Sequence, residues 1–229
     1  MYEFTFVMTS LFYLTITFLN EHEMLNKYFQ DPYFLSLFKV LPIYVLMFFS
    51  LNSKVPKERI TYKHLVTLGL LLSSFGDLAL QLPNFSFIYG LAFFLIAHLF
   101  YIAAFGASFS HIFHGVPFFA LGFYVYFFYM KPALPENLVV PVAVYIIVII
   151  TMAWRATARF QNGRVDTLYG CAGATFFVVS DLILGINRFV QPLPYAHLLT
   201  MIFYYYGQFG ISLSSVYINP YIHKENKRK

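Results

Sequence analysis

Eight stretches of this chain are each apolar enough to cross a bilayer, and together they leave little sequence for anything else. Cut at loop signals, they run from Phe4 to Leu19, Tyr33 to Leu51, Leu65 to Leu82, Phe87 to Ala107, Val116 to Met130, Leu138 to Trp154, Leu168 to Phe189 and Tyr195 to Tyr217. A spanning helix needs about 20 mainly apolar residues, whereas barrel strands would show short alternating segments. Hydrophobic residues make up 59% of the chain and charged residues 11%, more apolar surface than one soluble core could use. The expected fold is all-α and integral to the membrane: an eight-transmembrane-helix bundle forming a single domain over residues 1–217, with a basic cytosolic tail over 218–229. The fifth run is the least regular, because it contains Pro117 and Gly122. No basic flank precedes the first run and no small-residue cleavage site follows it, which predicts a retained helix rather than a signal peptide.

Orientation follows from the basic residues. With eight spans, one face collects Lys54, Lys57, Arg59, Lys63, Arg155, Arg159, Arg164, Lys224, Lys227, Arg228 and Lys229, while the other holds only Lys27, Lys131 and Arg188. The positive-inside bias therefore predicts that both the N and C termini are cytosolic. The net charge of +5 reflects that orientation and contact with anionic membrane lipid, not a nucleic-acid partner. Cys171 lies among small residues suited to close helix packing and, as a lone cysteine, forms no intrachain disulfide.

Two acids break the apolar runs. Asp77 and Asp181 each stand eight residues after a glycine, Gly69 and Gly173, and each is followed by Leu-x-Leu. Phe94-x-x-Ala97-His98 is echoed by Tyr204-x-x-Gly207-Gln208, so helices three and four resemble seven and eight, the pattern of a parallel internal repeat. A carboxylate inside a bilayer is costly and reads first as functional. Lys39 sits about six residues into the second run, or about 9 Å at 1.5 Å per residue. Asp77 and Asp181 fall about five to eight residues from the same face and His98 and Gln208 about a dozen, so all five can line one cavity that opens toward the non-cytosolic half. Lys39 can pair with Asp77 or Asp181, or reach the interface; His98 can be a packed core residue; and Trp154-Arg155 can be an interfacial anchor. There is no His-Glu-x-x-His signature, no phosphate-cradling glycine loop and no nucleophile elbow. His111-x-x-His114 lacks further ligands, so no metal site is expected.

Lys39 with Pro42, Gly76-Asp77, Ala97-His98-x-x-Tyr101, Trp154-Arg155-Ala156-x-Ala158-Arg159, Ser180-Asp181 and Tyr205-x-x-Gln208, in this order, resemble the YhhN-type lysoplasmalogenases over about Tyr33 to Ser215. Two positions depart from that pattern, Val40 where proline is common and Gly207 where alanine is usual. The resemblance implies hydrolysis of the vinyl ether of a lysophospholipid substrate, releasing a fatty aldehyde and glycerophosphoethanolamine or glycerophosphocholine. It implies Asp77 and Asp181 as catalytic residues, with Lys39, His98, Tyr101, Arg155, Tyr205 and Gln208 as substrate-binding residues, and no cofactor. The chemistry agrees: protonating the outer alkene carbon requires an acid, activating water requires a base, and two neighbouring carboxyls can divide those tasks. The sequence leaves open which aspartate takes which role. A proton-coupled transporter, with the aspartates as a relay, is the alternative reading. The expected location is the endoplasmic reticulum membrane for a eukaryotic source and the inner membrane for a bacterial one.

Overall fold

A spanning backbone has no water to bond to, so each membrane segment must satisfy its own N–H and C=O groups as a helix. The computed structural model describes residues 2–21, 31–108, 111–160 and 164–217, and among these it contains helices and no strand. Lys27 and the basic tail after residue 217 lie outside the described residues. The helices are α1 (Tyr2–Glu21), α2 (Pro32–Asn52), α3 (Lys57–Gln81), α4 (Phe87–Phe105), α5, α6 (Glu136–Ala158), α7 and α8 (Ala196–Val216). Helix α5 runs Ile112–Val125, passes through a π-helical stretch at Tyr126–Met130 and ends with the turn Lys131–Ala133. Helix α7 runs Val165–Gly185 and closes with a π-helical stretch at Ile186–Val190.

Seven of these helices are long and apolar enough to cross a membrane, and the protein is a multi-pass integral membrane protein. The remaining one, α8, is helical and free of Asp, Glu, Lys and Arg, but it is not among those seven. Several of its polar residues are turned inward: Thr200, Gln208, Ser212, Ser214 and Ser215 are all buried. Helix α8 packs against α1, α2, α3 and α7, so it sees protein where the outer helices see lipid.

Helix limits extend beyond the apolar runs. Helix α3 begins at Lys57, well before Leu65, because backbone pairing continues after apolarity ends. Lys63 in that extension donates to the carbonyls of Leu51 (3.3 Å) and Ser53 (3.0 Å), which close the end of α2. At the start of α2, the Asp31 carboxylate accepts from the Tyr33 and Phe34 amides, and Pro32 occupies the first helical position, where its missing N–H costs nothing. Pro117 falls near the start of α5 and Gly122 lies against Ile150 of α6, so the fifth run is one helix despite both.

The closest pairings are α3 with α4 and α7 with α8. A Cβ at Gly173 would stand 2.6 Å from the Ile211 amide nitrogen and 2.8 Å from the Gly207 carbonyl, so α7 and α8 meet backbone to backbone. In α3, Gly76 instead receives the Phe94 ring of α4, with 2.7 Å to its would-be Cβ. At the far end of α3, Arg59 donates to the carbonyls of Ser214 (2.5 Å) and Tyr217 (2.8 Å) and pairs with Asp166 at 3.2 Å. Those carbonyls are among the unpaired acceptors at the end of α8, and Arg59 thereby ties α3, α7 and α8 together.

Candidate active site

Asp77 lies one turn before the end of α3 and directly after Gly76, where the ring of Phe94 packs on the helix and seals one side. Asp181 lies one turn before the π-helical end of α7. Both face a cavity of about 690 Å³, which α2 through α8 all help to line. Most of its wall is apolar. From α5 and α6, Phe118, Leu121, Val125, Ile146 and Ile149 contribute to that apolar wall. Its polar lining includes Lys39, Asp77, Tyr145, Ser180, Asp181 and Tyr204.

The two carboxyls are held differently. Lys39 Nζ lies 3.2 Å from Asp77 Oδ1, and the Tyr204 hydroxyl donates to Asp77 Oδ2 at 2.5 Å. The Asp77 side chain is 3% exposed and that of Lys39 6%, so this pair is withdrawn from the open space of the cavity. Tyr205 donates to the Lys39 carbonyl at 2.8 Å, and α8 thus supports both members of the pair. Asp181 is 18% exposed and, among the described residues, has no Lys or Arg within ion-pair distance. Its Oδ2 accepts from the Tyr145 hydroxyl, and His98 Nε2 lies 2.9 Å from that hydroxyl and 3.9 Å from the carboxylate. If Tyr145 gives its proton to Asp181, the phenol oxygen is left to accept from His98 Nε2. The result is a chain of donors running from His98 through Tyr145 to the acid.

Of the residues singled out from sequence, Asp77, Asp181 and Lys39 line the cavity, and His98 supports it from behind. Tyr101 and Gln208 are fully buried, and the Tyr101 hydroxyl donates to Gln208 Oε1 at 2.7 Å. Neither touches the cavity, nor does Tyr205. Arg155 does not join them. Its Nε donates to the Gly106 carbonyl at 2.5 Å, its guanidinium covers the Trp154 ring, and it closes the end of α4 far from the carboxyls.

The matching family model, that of the YhhN family, covers residues 34–215. The chain belongs to the YhhN family. Lysoplasmalogenase TMEM86B of Homo sapiens is 35% identical over 188 residues, which are 82% of this YhhN chain and 77% of that protein. Lysoplasmalogenase TMEM86A of Homo sapiens is 34% identical over 156 residues, 66% of this chain, and the chain spans 65% of that relative's length. A lysoplasmalogenase of Mycobacterium bovis is 34% identical over 136 residues, 53% of this chain and 49% of its own. No solved structure gives a significant match.

Sequence reasoning missed several polar residues of this YhhN site. Tyr145 is the only polar side chain between Leu138 and Ile150, a signal available in the sequence. Tyr204 was one of many tyrosines near Gln208, and nothing local separated it from those that merely pack. His197, which lines the cavity and lies 3.3 Å from the Tyr13 hydroxyl, sits at the first turn of α8 with no motif around it.

Proposed function

We propose that this protein is a lysoplasmalogenase, which hydrolyses the vinyl-ether bond of a lysoplasmalogen to a fatty aldehyde and a glycerophospho-ethanolamine or glycerophosphocholine. The observation that carries this reading is the pair of unequal carboxyls facing one largely apolar cavity, one ion-paired and withdrawn, the other partly open and without a cation. The names of the relatives agree with it.

The unequal surroundings suggest how the work is divided. Asp77, opposite the Lys39 ammonium and below the Tyr204 hydroxyl, is held as a carboxylate. Asp181 is the acid: Tyr145 engages Oδ2, leaving Oδ1 to carry the proton toward the outer alkene carbon. Protonation of that carbon breaks the double bond and gives an oxocarbenium ion. Asp77 offsets its charge and takes a proton from the water that attacks it. The hemiacetal then collapses: the bond to the glycerol oxygen breaks as that oxygen takes the proton held by Asp77, and the hemiacetal hydroxyl returns its proton to Asp181, giving aldehyde and free glycerol hydroxyl with both acids restored, one water consumed overall and no redox change. The fatty chain lies along the apolar wall that α5 and α6 supply.

The test is direct. Purified protein in detergent, with no gradient, should release aldehyde from lysoplasmalogen and none from the ester-linked lysophospholipid. Absence of aldehyde with the vinyl ether would overturn the reading. We further propose that α8 spans the membrane as the eighth crossing, that both termini are cytosolic, and that α3–α4 and α7–α8 are the two copies of a parallel repeat. Their shared Gly and Asp spacing and their status as the closest helix pairs support the last point.

A further inference from the structure

A lysophospholipid carries a phosphodiester, and Lys39, one of the substrate-binding residues the family resemblance implies, or a tyrosine is a candidate to contact it. The ion pair removes Lys39 from that role: the ammonium faces Asp77 at 3.2 Å in a buried site, and a phosphate brought there would crowd a second anion against the carboxylate. The other Lys or Arg lining the cavity is Arg188. It stands on the π-helical end of α7, seven residues beyond Asp181 and about 10 Å further along the helix at 1.5 Å per residue. It is exposed at the cavity rim and has no carboxylate within ion-pair distance among the described residues.

Its guanidinium is nevertheless positioned. It stacks 4.5 Å from the centroid of Phe87 and 5.8 Å from that of Phe189, two rings that pack edge to face. Stacking uses the flat face of the guanidinium and leaves its N–H edges free for a bidentate anion. Arg188 is also one of few basic residues on a face that the positive-inside bias otherwise leaves nearly bare, so orientation does not account for it. In a lysoplasmalogen only the glycerol backbone separates the phosphate from the vinyl ether. A phosphate at the rim therefore leaves the alkene one short step inward, toward Asp181.

Building on the lysoplasmalogenase reading, we infer that Arg188, held by Phe87 and Phe189, binds the phosphate of the substrate and sets the register of the vinyl ether against Asp181. The experiment compares wild type, Arg188→Gln and Arg188→Lys, purified in a phosphate-free detergent. Turnover is measured on an alkenyl-glycerophosphoethanolamine and on the corresponding alkenylglycerol, which lacks the phosphate. Binding is measured separately with a saturated-ether lysophospholipid, which cannot be hydrolysed. The expected result is a ratio of kcat/KM, phosphorylated over unphosphorylated substrate, lowered about ten- to hundredfold in Arg188→Gln and carried by KM, with Arg188→Lys between. The saturated ether should bind more weakly by a similar factor. An unchanged ratio, or an equal fall on both substrates, would overturn the inference. So would displacement of the saturated ether by an equal amount of two-chain phospholipid, which would assign Arg188 to bulk lipid. If wild type releases no aldehyde, the activity reading fails, and the binding measurement alone decides the role of Arg188.

Discussion

Lys39 and Asp77 form a buried ion pair, Nζ to Oδ1 at 3.2 Å, bridging α2 and α3 inside the apolar body of the protein. Replacing only one partner leaves an uncompensated charge. Lys39→Met should therefore lower thermal stability, with a cost of about 3–5 kcal/mol, whereas Lys39→Met with Asp77→Asn should recover much of it. Melting of the purified variants measures this. A stable Lys39→Met single variant would contradict the pairing.

Asp77→Asn and Asp181→Asn should each lower aldehyde release by at least about a hundredfold, because asparagine can neither donate the proton nor become the carboxylate. If the two carboxyls act as one unit, the double variant should be scarcely worse than either single one. Their stabilities should differ. Asp77→Asn strands Lys39, while Asp181→Asn strands no cation and should melt close to wild type.

Tyr145→Phe removes the hydroxyl that joins His98 to Asp181 and leaves the ring in place. A hydrogen bond to a charged group contributes about 1.5–3 kcal/mol, so kcat should fall about ten- to hundredfold. Steady-state kinetics on lysoplasmalogen should show the loss in kcat more than in KM. A wild-type kcat would remove Tyr145 from the mechanism.

Gly173→Ala places a methyl against the backbone of α8, 2.6 Å from the Ile211 amide nitrogen. The two helices must separate, and overpacking of this kind typically costs about 1–3 kcal/mol. A lowered melting temperature is expected, together with a loss of activity, since α8 carries Tyr204 toward Asp77.

Topology can be tested by thiol labelling. Cysteine introduced at Lys57 should react from the cytosolic side, and cysteine at Lys131 should react only from the other. The reverse pattern would invert the protein and place the Arg188 rim on the cytosolic face.

The run of apolar segments determined by itself that this chain is a multi-pass helical membrane protein, because hydrocarbon permits few other backbones. The cost of a charge in that setting made Asp77 and Asp181 stand out before any fold was known. Both are local properties, carried by residues close together in the chain. What the tertiary structure decided depends on how each helix is rotated about its axis and which neighbour it meets. Lys39 turned toward Asp77 and not Asp181 because α2 packs on α3. Tyr204 and Tyr145 were drawn from nineteen tyrosines because their faces of α8 and α6 point at the acids. Arg155, a substrate-binding residue by the family resemblance, instead donates to the Gly106 carbonyl at the end of α4. A run of apolar residues says that a helix forms, but hydrophobicity on every side of it leaves its rotation unspecified, and only side-chain packing settles which polar atom meets which.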